Sequence, residues 1–324
     1  MPRAIRIHEH GGPEVLRLED VPREPLRARQ VRIRQTAVGV NYIDTYDRSG
    51  LYPVSLPAGL GREAAGVVAE AGRSVRTLRE GDRVAYAASA PGAYAEERVM
   101  DTARVVKLPD AVSDREAAAM MLKGLTAWFL LRRCHRVRRG EPVLLHAAAG
   151  GVGLIALQWA VALGARVIAV VGSDGKAAIA REHGAAEVVV SSREDIAARV
   201  RALTKGRGVP VVYDGVGKDT FMASLDSLAP RGLMVSYGNA SGAVPPVAPL
   251  ELSRRGSLYL TRPTLFHYIA KPAELARGAR ELFEVVGGRR VRVHVGGSYP
   301  LADAADAHRD LESRKTVGSL VLTP

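Results

Sequence analysis

Residues 59–66 read Gly-Leu-Gly-Arg-Glu-Ala-Ala-Gly, a glycine-framed stretch that sets a base beside an acid. With histidine in place of Arg62, it would offer an imidazole next to the Glu63 carboxylate, and both groups can ligate a metal. A guanidinium has no lone pair to give at any usable pH. The stretch therefore asks what chemistry remains once the metal ligand is gone. Other residues do not refill such a site. Cys134 is the single cysteine, so no disulfide can close within the chain and no four-cysteine zinc lobe can form. The eight histidines offer no pair at ligand spacing, and His8 and His10 fall on a predicted N-terminal strand.

A second set of residues suits an anion. The apolar run "PVLLHA" leads straight into "AAGGVGLIALQWAVALGA". Against the dinucleotide fingerprint G-x-G-x-x-G the positions are Ala148, Gly150 and Gly153, with alanine replacing the first glycine. The run follows a buried strand, opens a helix and reaches a second strand within about thirty residues, which is the setting the fingerprint needs. Gly150 would let the backbone approach a pyrophosphate, Gly153 would let helix pack on strand, and the helix N-terminus would supply amide donors. After the second strand, Gly172 and Ser173 stand where an NAD site places an acid for the ribose hydroxyls. Lys176 lies three residues on and Arg193 follows the third predicted strand, and the pair suits a ribose 2′-phosphate. Asp174 dissents, and is expected to act as a helix cap pointing outward. The set reads as NADP rather than NAD.

These residues need elements to hold them. Up to about residue 110 the chain is a series of short alternating runs, "AIRIHEH", "VRIRQTAV", "AGVVAEAG", "GDRVAYAA" and "AYAEERVM", the pattern of a β-rich domain. One helix is predicted at 41–50, closed by Gly50. Two helical segments follow, "SDREAAAMML", with Ser113 three residues before Glu116 as a capping box, and "GLTAWFLLRR". From residue 142 strands at 142–147, 166–171, 187–191, 210–214, 233–238 and 257–261 alternate with helices at 152–163, 175–183, 193–204 and 218–228. That rhythm predicts a doubly wound parallel sheet. The last sixty residues return to mixed character, with helices near 272–287 and 301–312 and strands at "VRVHVG" and "GSLVL". The fold class expected is α/β, with a Rossmann sheet inserted between two pieces of a β-rich domain.

Composition narrows the function classes. A 324-residue chain with 47% hydrophobic and 25% charged residues is globular and large enough for two cores. No apolar run is long enough to span a bilayer, and "MPRAIRIHEHGGPEV" lacks a signal-peptide core, so a cytoplasmic protein is expected. The net charge of +12 raises the question of a nucleic-acid partner. The densest basic run, "RRCHRVRR" at 132–139, carries no interleaved aromatics to stack bases. The charge is read as solvated arginine surface.

The stretches "HEHGGPEVL", "GVNYIDTYDRSGLYP", "GLGREAAG", "LKGLTAWFLLR", "HAAAGGVG" and "RGLMVSYGNASGAV" together resemble NADPH-dependent quinone oxidoreductases, the zinc-free, zeta-crystallin-like branch of the medium-chain dehydrogenase/reductase superfamily. The resemblance spans nearly the whole chain. It implies a GroES-like catalytic domain over residues 1–122 and 263–324 around a Rossmann NADPH-binding domain over 123–262. It also implies a homodimer joined through the edge strand in "GSLYLTRP". Zinc-dependent relatives place a cysteine at the position of Val40 or Asn41 and a histidine at that of Arg62, so the resemblance implies chemistry without zinc.

As catalytic residues the resemblance implies Asn41, Asp44, Tyr52 and Thr126. As cofactor contacts it implies Asn41, Phe129, Gly150, Gly151, Val152, Gly153, Gly172, Ser173, Lys176, Ser192, Arg193, Gly215, Gly238, Asn239, Ser241, Leu265 and Arg314. From spacing alone Asn41 reads as a helix cap, Asp44 as a surface charge and Tyr52 as a packing aromatic. Phe129, Ser192 and Gly215 depart from the residues expected in close relatives, which weakens polar contacts around the cofactor. The expected reaction is hydride transfer from NADPH to a quinone. The alternatives are an alkenal or enone double-bond reductase, and an RNA-binding zeta-crystallin-like protein with little turnover. RNA binding through phosphates would weaken steeply with salt.

Overall fold

The computed structural model describes every residue from Met1 to Pro324. Two compact units emerge. One comprises Met1–Leu125, Ile269–Gly288 and Val293–Pro324; the other comprises Thr126–Tyr268 and Arg289–Arg292.

The first unit is built mostly on antiparallel pairing, with Val295–Pro300 and Ser319–Thr323 paired in parallel. A seven-stranded sheet runs in the order Val295–Pro300, Ser319–Thr323, Gln30–Val40, Glu63–Ala71, Arg83–Ala87, Val106–Lys107, with Glu97–Asp101 also paired to Gln30–Val40. A three-stranded sheet orders Arg17–Asp20, Arg3–Ile7 and Ala58–Gly59. The alternating runs of the sequence put Val31, Ile33, Val38, Val40, Leu60, Val68, Val84 and Tyr86 into one buried cluster. Helix Tyr42–Ser49 follows the longest strand and ends at Gly50, whose φ of 81° is the left-handed conformation that glycine takes most readily.

The segment after residue 112 folds as one helix, Asp114–Phe129, rather than the two helical segments expected. Ser113 and Glu116 close its N-terminus reciprocally, each side chain bonding the other's backbone amide. Gly124 does not break it. A Cβ there would lie 2.5 Å from Leu282 Cδ1, so the glycine lets helix Pro272–Gly287 approach. The chain then makes one π turn at Leu130–Cys134 before leaving the helix.

The second unit holds six parallel strands in the order Glu187–Val190, Arg166–Val171, Pro142–His146, Val209–Asp214, Leu228–Ser236, Tyr259–Thr261. Numbered along this domain, the order is 3-2-1-4-5-6, the dinucleotide-binding arrangement, and it reverses between Pro142–His146 and Val209–Asp214. Its core gathers Leu144, Ile168, Val170, Val189, Val212, Phe221 and Met234.

One expected strand is displaced. "VRVHVG" alternates like a strand, but pairing begins only at Val295 and continues to Pro300. The backbone N–H of Arg292 bonds Gln158 Oε1 and its carbonyl accepts from Gln158 Nε2. Those groups are satisfied by a side chain rather than by a neighbouring strand.

Candidate active site

The phosphate-binding turn in the second unit departs locally from the fingerprint. Ala147, one residue before the expected position, takes the positive φ of 50°, and Ala148 is fully buried. Gly150 is the N-cap of helix Gly151–Ala162, and no side chain caps its first amides. A Cβ on Gly153 would sit 2.1 Å from the Ala147 carbonyl oxygen, so only glycine lets the helix seat on the turn. At Gly172 a Cβ would meet nothing within 4 Å, which leaves open space where strand Arg166–Val171 ends. Glycines in close approach, uncapped amides and an open ribose end fit a dinucleotide.

At that end Ser173 is the cap of helix Asp174–Glu182, its hydroxyl accepting the Lys176 amide at 3.4 Å. The expectation that Asp174 caps the helix is therefore corrected. The shorter serine side chain reaches the amide three residues on, and Asp174 becomes the first helical residue, where its charge still complements the dipole. Its Oδ1 accepts from Arg193 Nη2 at 2.8 Å. Burial holds the Lys176 ammonium below the usual lysine range. Ser192 and Arg193 lie exposed in the turn after strand Glu187–Val190.

Loops after two further strands interlock. Asp214 is fully buried and accepts from the amides of Val216 and Gly217 and from the hydroxyls of Thr220 and Ser224. Because Ser224 gives its proton to Asp214, the Nε2 of buried His146 must donate to Ser224 Oγ, at 2.9 Å. A Cβ on Gly238 would lie 2.3 Å from the Gly215 carbonyl, and one on Gly215 would lie 2.8 Å from the Tyr237 ring. Glycine at 215 is thus set by packing. Ser241 donates to the Val216 carbonyl and accepts the Asp219 amide, which ties the two loops together. Asn239, in its hydrogen-bond-consistent orientation, accepts from Arg262. Leu265 opens a short helix, and Thr126 and Phe129 are buried, with Phe129 stacked on Tyr268 at 4.5 Å between ring centroids.

The first unit holds Asn41, Asp44, Tyr52 and Arg314. Asn41 begins the helix after strand Gln30–Val40, and its Nδ2 donates to Glu63 Oε1 at 2.8 Å. Lys123 Nζ lies 2.7 Å from that same oxygen, and the Leu122 amide donates to Oε2 at 2.6 Å. Glu63 is fully buried and Lys123 nearly so. Sequence reasoning missed Lys123. Its signal was available as a lone cation in the apolar run "AAAMMLKGLTAW", a position where an unpaired charge is prohibitive. Arg62 makes two bonds of 2.8 Å to buried Asp47, so the residue in the metal-ligand position neutralises a carboxylate instead.

Asp44 is no surface charge, as its spacing alone would read. It is fully buried, its Oδ2 accepts the Asn41 amide at 2.8 Å and the Tyr94 hydroxyl at 2.9 Å, and its Oδ1 has no protein partner. Burial pushes its pKa up to about 7. Behind Tyr94 stands His308, with Nε2 3.0 Å from the Tyr94 hydroxyl and Nδ1 3.0 Å from Arg48 Nη1. Arginine only donates, so Nδ1 accepts and the imidazole proton sits on Nε2. The chain of donors then runs from Arg48 through His308 and Tyr94 to Asp44. Burial, with Arg48 nearby, lowers His308 to about 3. Tyr52 follows the helix stop, its ring edge-on to Tyr46 at 5.2 Å. Arg314 takes a positive φ of 58° just beyond helix Ala304–Glu312. No group of three His, Cys, Asp or Glu side chains is arranged to hold a metal.

A six-stranded dinucleotide sheet carried in sequence between parts of an antiparallel β unit defines a medium-chain dehydrogenase/reductase. Residues 27–110 match the alcohol dehydrogenase GroES-like domain family, and residues 151–281 match the zinc-binding dehydrogenase family. The chain is 51% identical to the quinone oxidoreductase of Pseudomonas aeruginosa, with 100% of each chain covered. It is 43% identical to a 2-haloacrylate reductase of a Burkholderia species, covering 100% of this chain and 99% of that one. The crystal structure of Escherichia coli quinone oxidoreductase complexed with NADPH matches with a TM-score of 0.98 at 48% identity, over 99% of this chain and 100% of that one. The chain belongs to the quinone oxidoreductase family of the medium-chain dehydrogenases/reductases.

Proposed function

We propose that this protein is an NADPH:quinone oxidoreductase that works without a metal ion. The observation that carries the reading is the Ala147–Gly153 turn, ending a parallel strand, in a chain that matches quinone oxidoreductases along its full length. In this reading Gly150, Gly151, Val152 and Gly153 hold the pyrophosphate, and Ser173, Lys176 and Arg193 meet the 2′-phosphate. The loops carrying Gly215, Gly238, Asn239 and Ser241, together with Leu265, border the nicotinamide half. Bound NADPH supplies a hydride, and with a proton it converts a quinone to a hydroquinone.

The hydroquinone anion is stabilised by its aromatic ring, whereas an alkoxide is not, so the Lewis acid that alcohol oxidation needs is dispensable here. What the protein must add is position and exclusion of water. Glu63 fixes the Asn41 carboxamide by taking one of its N–H groups, and Lys123 supplies the partner charge that a buried carboxylate needs. Tyr52 presents its hydroxyl to the acceptor oxygen. Thr126 and Phe129 shape the wall beside the nicotinamide.

A homodimer belongs to the same reading. Tyr259–Thr261 is the sheet's unpaired edge, with Tyr259 and Leu260 exposed, and such an edge invites pairing with a second copy. Sedimentation would report a monomer if it does not form. A cytoplasmic location fits, and no helix is long and apolar enough to cross a membrane.

The relationship to a 2-haloacrylate reductase favours one second reading, reduction of an activated carbon–carbon double bond. Steady-state NADPH oxidation across benzoquinones, naphthoquinones, enones and haloacrylates separates the two. Higher kcat/KM for quinones supports the first reading; higher kcat/KM for the alkenes replaces it.

A further inference from the structure

The ribose end of the second unit carries, in Asp174, a negative charge beside Arg193 that a 2′-phosphate site does not call for. Strands Arg166–Val171 and Glu187–Val190 run in parallel register, Val171 opposite Val190, and bring the turns after them together. Lys176 and Arg193 give this end two positive charges, and Asp174 removes one. Its carboxylate is 2.8 Å from the Arg193 guanidinium, with both side chains more than half exposed. Ser173 already caps the helix, so Asp174 is not needed for that.

We infer that Asp174 is a specificity-determining residue that restrains the preference for NADPH over NADH. The inference rests on the 2′-phosphate reading given above. An exposed ion pair is weak, so Arg193 can leave Asp174 for a phosphate at little cost. The Asp174 backbone is held in the first turn of a helix, so its carboxylate stays within a side chain's reach of that turn, and a 2′-phosphate of charge about −1.5 to −2 would bind near it. A ribose 2′-hydroxyl meets the opposite environment. A carboxylate beside it accepts its proton in a hydrogen bond, the contact an NAD site provides. One side chain thus opposes NADPH and favours NADH.

The test titrates NADPH and NADH into the parent, Asp174→Asn and Lys176→Ala proteins, following intrinsic fluorescence at two salt concentrations. Asp174→Asn is expected to tighten NADPH by roughly three- to tenfold, with NADH unchanged or weakened, and the gain should shrink as salt screens the repulsion. Unchanged NADPH affinity, or equal tightening of both cofactors, overturns the inference. Weaker NADPH binding overturns it in the other direction, by making Asp174 the residue that holds Arg193 in place. Lys176→Ala separates the underlying reading. If it weakens both cofactors alike, the 2′-phosphate assignment fails whatever Asp174 does.

Discussion

Glu63 collects an amide from Asn41, an ammonium from Lys123 and a backbone N–H from Leu122, all at 2.8 Å or less. Taking away the cation would leave that buried carboxylate without its charge partner, a strongly unfavourable arrangement that the local structure must relax to relieve. Lys123→Met is therefore expected to reduce quinone turnover at least tenfold through loss of the Asn41 orientation, with NADPH affinity nearly unchanged. Lys123→Arg should recover part of kcat, which a merely space-filling role would not predict; steady-state kinetics beside a cofactor titration checks both. Asp44 and His308 make a second prediction. Asp44 rises from 3.8 to about 7 on folding, so the stability it contributes is full below about pH 4 and is lost as pH rises towards 7. His308 falls from 6.5 to about 3, so its contribution is full above about pH 6.5 and is lost as pH falls. The two slopes oppose each other between about pH 4 and 6.5. Asp44→Asn removes one of them, and urea unfolding should show the variant gaining on the parent by roughly 1.4 kcal/mol per pH unit in that window. A constant difference across the window would mean that Asp44 titrates as it does in the unfolded chain. Motif and resemblance single out Asn41, Lys176 and Gly153 as candidates. Asp44 read from spacing as a surface charge, and Tyr94 and His308 could not be picked out, because their pairing joins residues up to 264 positions apart across the network that ends at Glu312; Lys123 left its signal as a lone cation in an apolar run, but its partner Glu63 lies 60 positions away.

Elements followed the sequence wherever local signals and tertiary partners agree. Arg166–Val171 and Pro272–Gly287 form over the residues their patterns predict, one as a β-branched run and the other as an amphipathic helix. The expectations strayed where a side chain overrode the pattern, as Gln158 does at Arg292, or where a glycine serves close packing rather than a break, as Gly124 does against Leu282. Gly153 gives this scale its prediction. Its Cβ would have to displace the Ala147 carbonyl, 2.1 Å away, and with it the seat of helix Gly151–Ala162. Gly153→Ala should destabilise the protein by about 1–3 kcal/mol and weaken NADPH binding. Gly172→Ala, with no atom within 4 Å of the new methyl group, should leave the melting temperature unchanged. If the two variants melted alike, the close approach in the turn would not be a feature of the folded protein.

For the molecule as a whole, the Rossmann order and the GroES-like match were legible because strand, glycine turn and helix recur at fixed spacing. The acceptor was not, because quinones and activated alkenes ask for the same hydride and differ only in the shape that receives them. The central claim is direct, metal-independent hydride transfer from NADPH to a quinone. The measurement that tests it most directly is single-turnover reduction of a benzoquinone by NADPH deuterated at C4, with chelator-treated enzyme. The account predicts one hydroquinone formed per NADPH consumed, undiminished by the chelator, and a slower transfer when deuterium occupies one of the two C4 faces. Loss of turnover on chelation with recovery on adding zinc, or the absence of any isotope effect with deuterium at either face, would contradict it.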